Sequence, residues 1–447
     1  MSKNLTIKSL TINSKLLLIL SLFFLIRIIY SYFWGWTDPN IGDGVTYNNY
    51  ALAIFNQSDW LTNPVFHGNN REPVYPIFLA LIYTIFGTQN LFPIYFFQSA
   101  IGVLTVYYIF KLSSFISDEK KSYLSLFWAG FYVFYIMYTG TILRESLVYL
   151  LVIFSFYHLW LFFEIKQEIH FLKNVDLLKF IIAFAILLHT DARYLFYIPF
   201  LSILFVIYNK FWIGIKQYIY ILVLLILLLV PWTIRNYIAY GGFVLINTMT
   251  LDTRKENISI RLNLLDTRKI TRVEEDPHFN INNNYPSEKE RKLIKQGKNP
   301  NNRPDYEIDL IENDVYPAST FLERKLYYVI NMWSPFRFLW DYRPFPDAVL
   351  NQPWSLKHNL TSIFFYGTLL PFVFFGLFYL FRKRHRAVWF LIFPIITHFI
   401  LHFMMFGEER YRNHIDSFII ILGCYGIVIA TEFIEGKLLG SRGVLNA

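Results

Sequence analysis

Ionisable side chains are scarce in this chain, and many of them stand at the ends of apolar runs. Asp43 lies in IGDGVTYNNYA (41–51), between Gly42 and Gly44. Arg71 and Glu72 open REPVYPIFLALIYTIFG, and Arg144 and Glu145 stand in TILRES. Asp191 and Arg193 stand in HTDARY, Arg235 in WTIRNY, and Glu408, Glu409, Arg410 and Arg412 in EERYR. Carboxylates take and give protons, and arginines hold anions. A charge inside lipid costs about 2.5–3.5 kcal/mol, so charges at span ends sit where water or a ligand meets them. The plain alternative for each is solvated loop charge.

Asp43 carries two readings. Gly42 and Gly44 permit a sharp turn or a close approach to a ligand. Tyr47 and Tyr50 then fall at i, i+3 spacing, as in a helix that starts near Asp43. Asp43 either caps that helix or does chemistry, and spacing leaves both open. His398 and His402 fall at i, i+4. With acidic partners such a pair binds a metal, and a membrane O-acyltransferase would also use a histidine here. Polar packing between helices is the plain alternative.

The elements that position these residues are membrane helices. The chain is 55% hydrophobic, 20% aromatic and only 16% charged, against about 25% charged in soluble domains. Runs such as LLLILSLFFLIRIIY and YIYILVLLILLLVPW approach the length that crosses a bilayer. Continuous apolar runs exclude barrel strands, which alternate. The expectation is an all-α polytopic membrane protein of about ten spans. Their limits are 16–34, 91–113, 121–139, 144–164, 177–190, 194–209, 216–234, 360–381, 387–406 and 413–434. The basic start is followed by bulky YSYFWGW rather than a small-residue cleavage site, so the first span is read as uncleaved. Cys424 stands alone and excludes an internal disulfide.

With the N-terminus inside, every inside loop is basic: Lys111, Lys120 and Lys121, then Lys166, Lys173 and Lys179, then Lys210 and Lys216, then RKRHR at 382–386, then the tail with Lys437 and Arg442. Both termini are therefore expected to be cytoplasmic. That pattern accounts for the net charge of +9 without a nucleic-acid partner. Three regions follow. Residues 1–234 form an N-terminal module whose first outer loop (35–90) carries Asp43. Residues 235–359 form a polar outer loop, and residues 360–447 a C-terminal module and tail. The apolar run after Arg71 is too short to span and suits an interfacial or re-entrant helix. In the second loop PSEKERKLIKQGKN reads as a short solvated helix and PASTFLERKLYYVINMW as an amphipathic one. The two outer loops are expected to cap the outer face. Arg27 lies inside the first span, where it snorkels outward or touches a lipid carrier.

IGDGVTYNNYA, REPVYPIFLALIYTIFG, PWTIRNYIAYGGFVLINT and ERYRNHIDSFIIILGCYGI occur in that order. Together they resemble polytopic glycosyltransferases of the C superfamily. The resemblance is to the dolichyl-phosphate-mannose–protein mannosyltransferase-like group, which includes aminoarabinose transferases. It implies a sugar donor carried on polyprenyl phosphate or pyrophosphate and transfer at the outer face of the bilayer. The acceptor is a glycan, glycolipid or protein. It implies that Asp43 is the general base in an inverting attack, and that Arg71, Arg193, Arg235, Arg410 and Arg412 are candidates to hold the leaving phosphate. Glu72, Glu145 and Tyr47 are candidates to line the same cavity. A divalent metal is a candidate cofactor, with His398 and His402 as weak ligands. Gly44 stands where true protein mannosyltransferases pair Asp with Glu. A glycan-lipid flippase or an O-acyltransferase is the competing function. A transporter would place ionisable residues or broken helices near mid-membrane.

Overall fold

The computed structural model describes residues 14–40, 42–56, 71–88, 90–164, 174–240, 243–247, 292–298, 329, 332–335, 356–404 and 409–444. Among them there are helices and no strand. Among the described residues seven helices are long and apolar enough to cross a membrane, and the chain is an integral, multi-pass membrane protein. The first is α1 (Ser14–Trp34). The first long loop contributes α2 (Gly44–Phe55) and α3 (Val74–Phe86), packed on each other. Then follow α4 (Phe92–Ser113), α5 (Glu119–Phe131), α6 (Val133–Met137), α7 (Glu145–Glu164), α8 (Val175–Leu188), α9 (Tyr197–Tyr208) and α10 (Phe211–Tyr240). After the second loop come α11 (Leu356–Phe365), α12 (Leu370–Arg382), α13 (Ala387–Met404), α14 (Glu409–Arg412) and α15 (Asp416–Val444).

Each of the ten apolar segments read from the sequence is helical, but the count of ten full spans does not carry over. The 121–139 segment is split at Tyr132, whose backbone is extended at φ −62° and ψ 108°. The segments near 177–190 and 194–209 form helices too short for the span criterion on their own. Most of the second loop lies outside the described residues, including most of the amphipathic helix expected over 317–333 and half of the solvated one expected over 286–299, of which 292–294 are helical.

The split at Tyr132 explains Arg27. This guanidinium is fully buried, and Nη1 donates to the Phe23 and Gly130 carbonyls, each at 3.1 Å. Gly130 is at the C-terminal end of α5, where carbonyls lack helical partners and a cation is favoured. Arg27 therefore neither snorkels nor faces outward. Helix α7 is the most enclosed span, 78% buried, and it packs on α4 and α8. Helices α12 and α15 approach through glycine. A Cβ on Gly376 would lie 2.6 Å from the Leu422 carbonyl oxygen, and one on Gly426 would collide with the Phe372 carbonyl. Small residues at such crossings let backbones meet in lipid.

A set of polar ties fixes the helix ends that carry charge. Tyr75 Oη donates to Gln98 Oε1 at 2.8 Å. Gln98 Nε2 in turn donates to the Thr139 and Thr141 carbonyls at 3.0 and 2.7 Å. The Trp36 amide donates to the Gly140 carbonyl at 2.8 Å. These bonds tie α1, α3 and α4 to the turn just before Arg144 and Glu145, so both charged residues are held from three sides.

Candidate active site

Asp43 occupies the N-cap position of α2, but its side chain makes no capping bond, and its own backbone is helical at φ −61° and ψ −18°. The capping reading is thus set aside. Gly42 makes the turn into the helix at φ +53°. Gly44 is needed for packing rather than for a ligand, because a Cβ there would meet the Pro39 carbonyl oxygen at 2.8 Å and the Trp36 ring at 3.0 Å. Tyr47 and Tyr50 are both buried on the inner face of α2.

The Asp43 carboxylate instead receives two arginines from distant parts of the chain. Arg71 Nη2 donates to Oδ1 at 2.6 Å, and Arg410 Nη1 donates to Oδ2 at 2.9 Å. The side chains of Asp43, Arg410 and Arg71 are 35%, 22% and 12% exposed. Arg410 Nε is held by Glu145 Oε1, and Glu145 is fully buried at the start of α7. Arg71 lies over the Tyr47 ring at 5.3 Å. Burial alone would raise the Asp43 pKa, but Arg71, Arg410 and, at longer range, Arg144 outweigh it and hold the carboxyl below its ordinary value.

A second chain of ion pairs lies behind the first. Arg144 Nη1 donates to Glu72 Oε2 and to the Thr190 carbonyl at 3.0 Å, and its Nη2 is 3.4 Å from Asp191 Oδ2. Glu72 Oε1 accepts from the Ala192 amide at 2.7 Å. Asp191 accepts a fork from Arg193, with Nε at 2.9 Å and Nη2 at 2.5 Å. The Arg193 guanidinium sits 3.9 Å above the Tyr411 ring. Burial pushes the Asp191 pKa up, yet Arg144 and Arg193 overcome it and hold the carboxylate well below its usual range. His414 lies 3.8 Å from Asp191. Burial and the neighbouring Arg193 keep its imidazole neutral.

The structure thus gathers Asp43, Arg71, Glu72, Arg144, Glu145, Asp191, Arg193 and Arg410, from five separate segments, into two adjoining ion-pair chains. It does not bring in Arg412. That side chain is fully buried, pairs with Asp416 at 3.2 Å, donates to the Met332 carbonyl at 3.2 Å and stacks 3.5 Å from the Tyr366 ring. Tyr132 Oη donates to the same Asp416 at 2.5 Å. Arg412 is corrected from a phosphate candidate to a clamp between α15 and the Tyr132 break. Arg235 is also apart. It donates to Asn236 at 3.1 Å and lies over Trp232 at 4.9 Å near the end of α10.

His398 is engaged at both ring nitrogens, by the Tyr411 carbonyl at 2.9 Å and Tyr197 Oη at 3.0 Å. His402 stacks on the Tyr411 ring at 5.1 Å. Both rings are buried against neighbouring helices. Among the described residues no group of three or more His, Cys, Asp or Glu is arranged to hold a metal. Glu408 lies outside the described residues, and nothing about the Glu409 side chain is described. The sequence reading overlooked Tyr411 and His414. Their place beside Asp191 comes from the fold of ERYRNHID against the 191–193 turn, and no local spacing signals it.

Residues 70–234 match the family model described as dolichyl-phosphate-mannose-protein mannosyltransferase. Among solved structures, the oligosaccharyltransferase of Archaeoglobus fulgidus in the apo form is similar, with a TM-score of 0.53 and 14% identity, over 96% of this chain and 52% of that chain. The chain shares the fold of this oligosaccharyltransferase. The Archaeoglobus fulgidus oligosaccharyltransferase AglB in complex with an inhibitory peptide and a dolichol-phosphate matches with a TM-score of 0.54 at 14% identity, over 96% of this chain and 51% of that one. The chain spans about half the length of these structures. No curated protein matches it in sequence. The family match covers Arg71, Glu72, Arg144, Glu145, Asp191 and Arg193 but begins after Asp43 and ends before Arg235, Arg410 and Arg412.

Proposed function

We propose that this protein is an inverting glycosyltransferase that moves a sugar from a polyprenyl-phosphate carrier to an acceptor hydroxyl. One observation carries the reading: a partly exposed carboxylate, Asp43, meets two partly exposed arginines at the end of a membrane helix bundle. In the reaction the acceptor hydroxyl gives its proton to Asp43 as its oxygen attacks the anomeric carbon. The bond from that carbon to the phosphate oxygen breaks, and the phosphate leaves with the electron pair. Arg71 and Arg410 offer planar forks to the developing charge, with Arg193 behind them. Glu72 and Arg144 hold the 191–193 turn beneath. The family match and the AglB complex with a dolichol-phosphate support a lipid-linked donor. The basic loops support placing this end of the bundle outside, with both termini cytoplasmic.

An O-acyltransferase built on His398 or His402 has less support, since both side chains are buried among helix contacts. The test is transfer of radiolabelled sugar from a dolichyl-phosphate or polyprenyl-phosphate donor in membranes that contain the protein. Label entering an acceptor only when the protein is present supports the reading. No transfer from any lipid-phosphate sugar, with acyl transfer lost in His402→Ala, would overturn it.

A further inference from the structure

The groups that would meet the donor phosphate are already committed to one another. Each oxygen of Asp43 is taken by one arginine, Oδ1 by Arg71 and Oδ2 by Arg410. A carboxylate held by two guanidinium groups is a poor base, because both partners favour its charged form. The same two forks match phosphate oxygens. Their side chains are 22% and 12% exposed for Arg410 and Arg71, whereas Arg144 is paired on both sides, with Glu72 and Asp191.

Building on the proposed donor class, we infer that Asp43 and the donor phosphate compete for Arg71 and Arg410, so that the donor itself frees the base it needs. Before the donor arrives, Asp43 neutralises the two arginines and stays inactive. When the phosphate takes their Nη groups, a carboxylate oxygen becomes free to accept the proton of the acceptor hydroxyl. Glu145 is the positioning residue in this exchange. It grips Arg410 at Nε, which fixes the root of the guanidinium while the Nη edge changes partner. Its second oxygen, Oε2, is buried with no hydrogen-bond partner among the described residues, so its one hydrogen-bonded cation there is Arg410. The charged groups facing Asp43 are Arg71, Arg410 and, at longer range, Arg144.

Competition for shared partners has a reciprocal signature: removing one competitor tightens the other. The test is equilibrium binding of dolichyl phosphate, and separately of inorganic phosphate, to the purified full chain in detergent. The variants are Asp43→Asn, Arg410→Gln, the double variant, and Glu145→Gln. Asp43→Asn is expected to bind dolichyl phosphate about three- to tenfold more tightly, the scale of losing two partly exposed ion pairs. In the Arg410→Gln background that gain shrinks markedly, as a double-mutant cycle requires of coupled groups. Glu145→Gln is expected to weaken binding in both the wild-type and Asp43→Asn backgrounds but to add no further loss in Arg410→Gln, because it acts through Arg410; an equal loss in the Arg410→Gln background would show a merely structural role. Equal or weaker binding by Asp43→Asn would overturn the inference while leaving the transferase reading intact. A gain undiminished in Arg410→Gln would also overturn it, since the effect would then be simple loss of a negative charge. Inorganic phosphate competing as well as dolichyl phosphate would make this a free-phosphate site. Absence of dolichyl phosphate binding by the wild-type protein would instead sink the donor class itself.

Discussion

Glu72 offers a test of the buried half of the site. Its Oε2 holds Arg144 Nη1 and its Oε1 accepts the Ala192 amide at 2.7 Å, with the residue only 3% exposed. Removing one partner of a buried pair costs about 3–5 kcal/mol, because the other charge is left uncompensated. Arg144 keeps Asp191 at 3.4 Å and the Thr190 carbonyl at 3.0 Å, so Glu72→Gln belongs at the lower end, about 3 kcal/mol. Its amide oxygen still accepts from Ala192. Glu72→Ala also orphans that amide, which adds about 1–3 kcal/mol. The assay is reversible unfolding of the purified protein in mixed detergent, followed by tryptophan fluorescence. The expected order is wild type, then Glu72→Gln, then Glu72→Ala. Equal stability of the two variants, or of either with wild type, would refute the claim that Glu72 organises the 190–193 turn.

Further outcomes follow from the same geometry. Arg412→Ala should lower stability by about 3–5 kcal/mol, since it strips Asp416 of its cation, yet leave donor affinity of the remaining folded protein near wild type; a selective rise in donor KM would return Arg412 to the phosphate site. Gly426→Ala drives a methyl into the Phe372 carbonyl and should cost about 1–3 kcal/mol in the same unfolding assay, whereas an unchanged melt would show that α12 and α15 do not cross so closely. The folded pKa of Asp43 lies below its ordinary 3.8, so its ion pairs contribute fully above that value and are lost only as pH falls through the lower folded value. The acid limb of kcat/KM, which reports the free enzyme, should therefore lie below pH 3.8; a limb above it would contradict the pairing with Arg71, Arg410 and Arg144.

The helices were legible because apolar runs in lipid have one way to satisfy their backbones. What the runs could not show was where a run breaks. The Tyr132 split depends on Arg27 meeting the Gly130 carbonyl and on Tyr132 meeting Asp416, both contacts distant in sequence. The charged residues were legible as a set, since they stand at span ends. Their pairing was not. Arg410 and Arg412 are two residues apart, and side chains at that spacing on a helical turn do not share a face. One reaches Asp43 and the other Asp416. Glu72 and Arg144 are separated by 72 residues and share no local motif. The two readings of Asp43 required side-chain geometry to separate, because N-cap position and ion pairing are compatible with the same residues.

The central claim is that Asp43 takes the proton of the acceptor hydroxyl. Its most direct test is single-turnover sugar transfer by purified Asp43→Asn at saturating lipid-linked donor. The substitution keeps shape and removes the basic lone pair. The account predicts a loss of transfer of about 10²–10⁴-fold, the usual worth of general base catalysis, with donor still bound. Transfer at the wild-type rate by Asp43→Asn would contradict it.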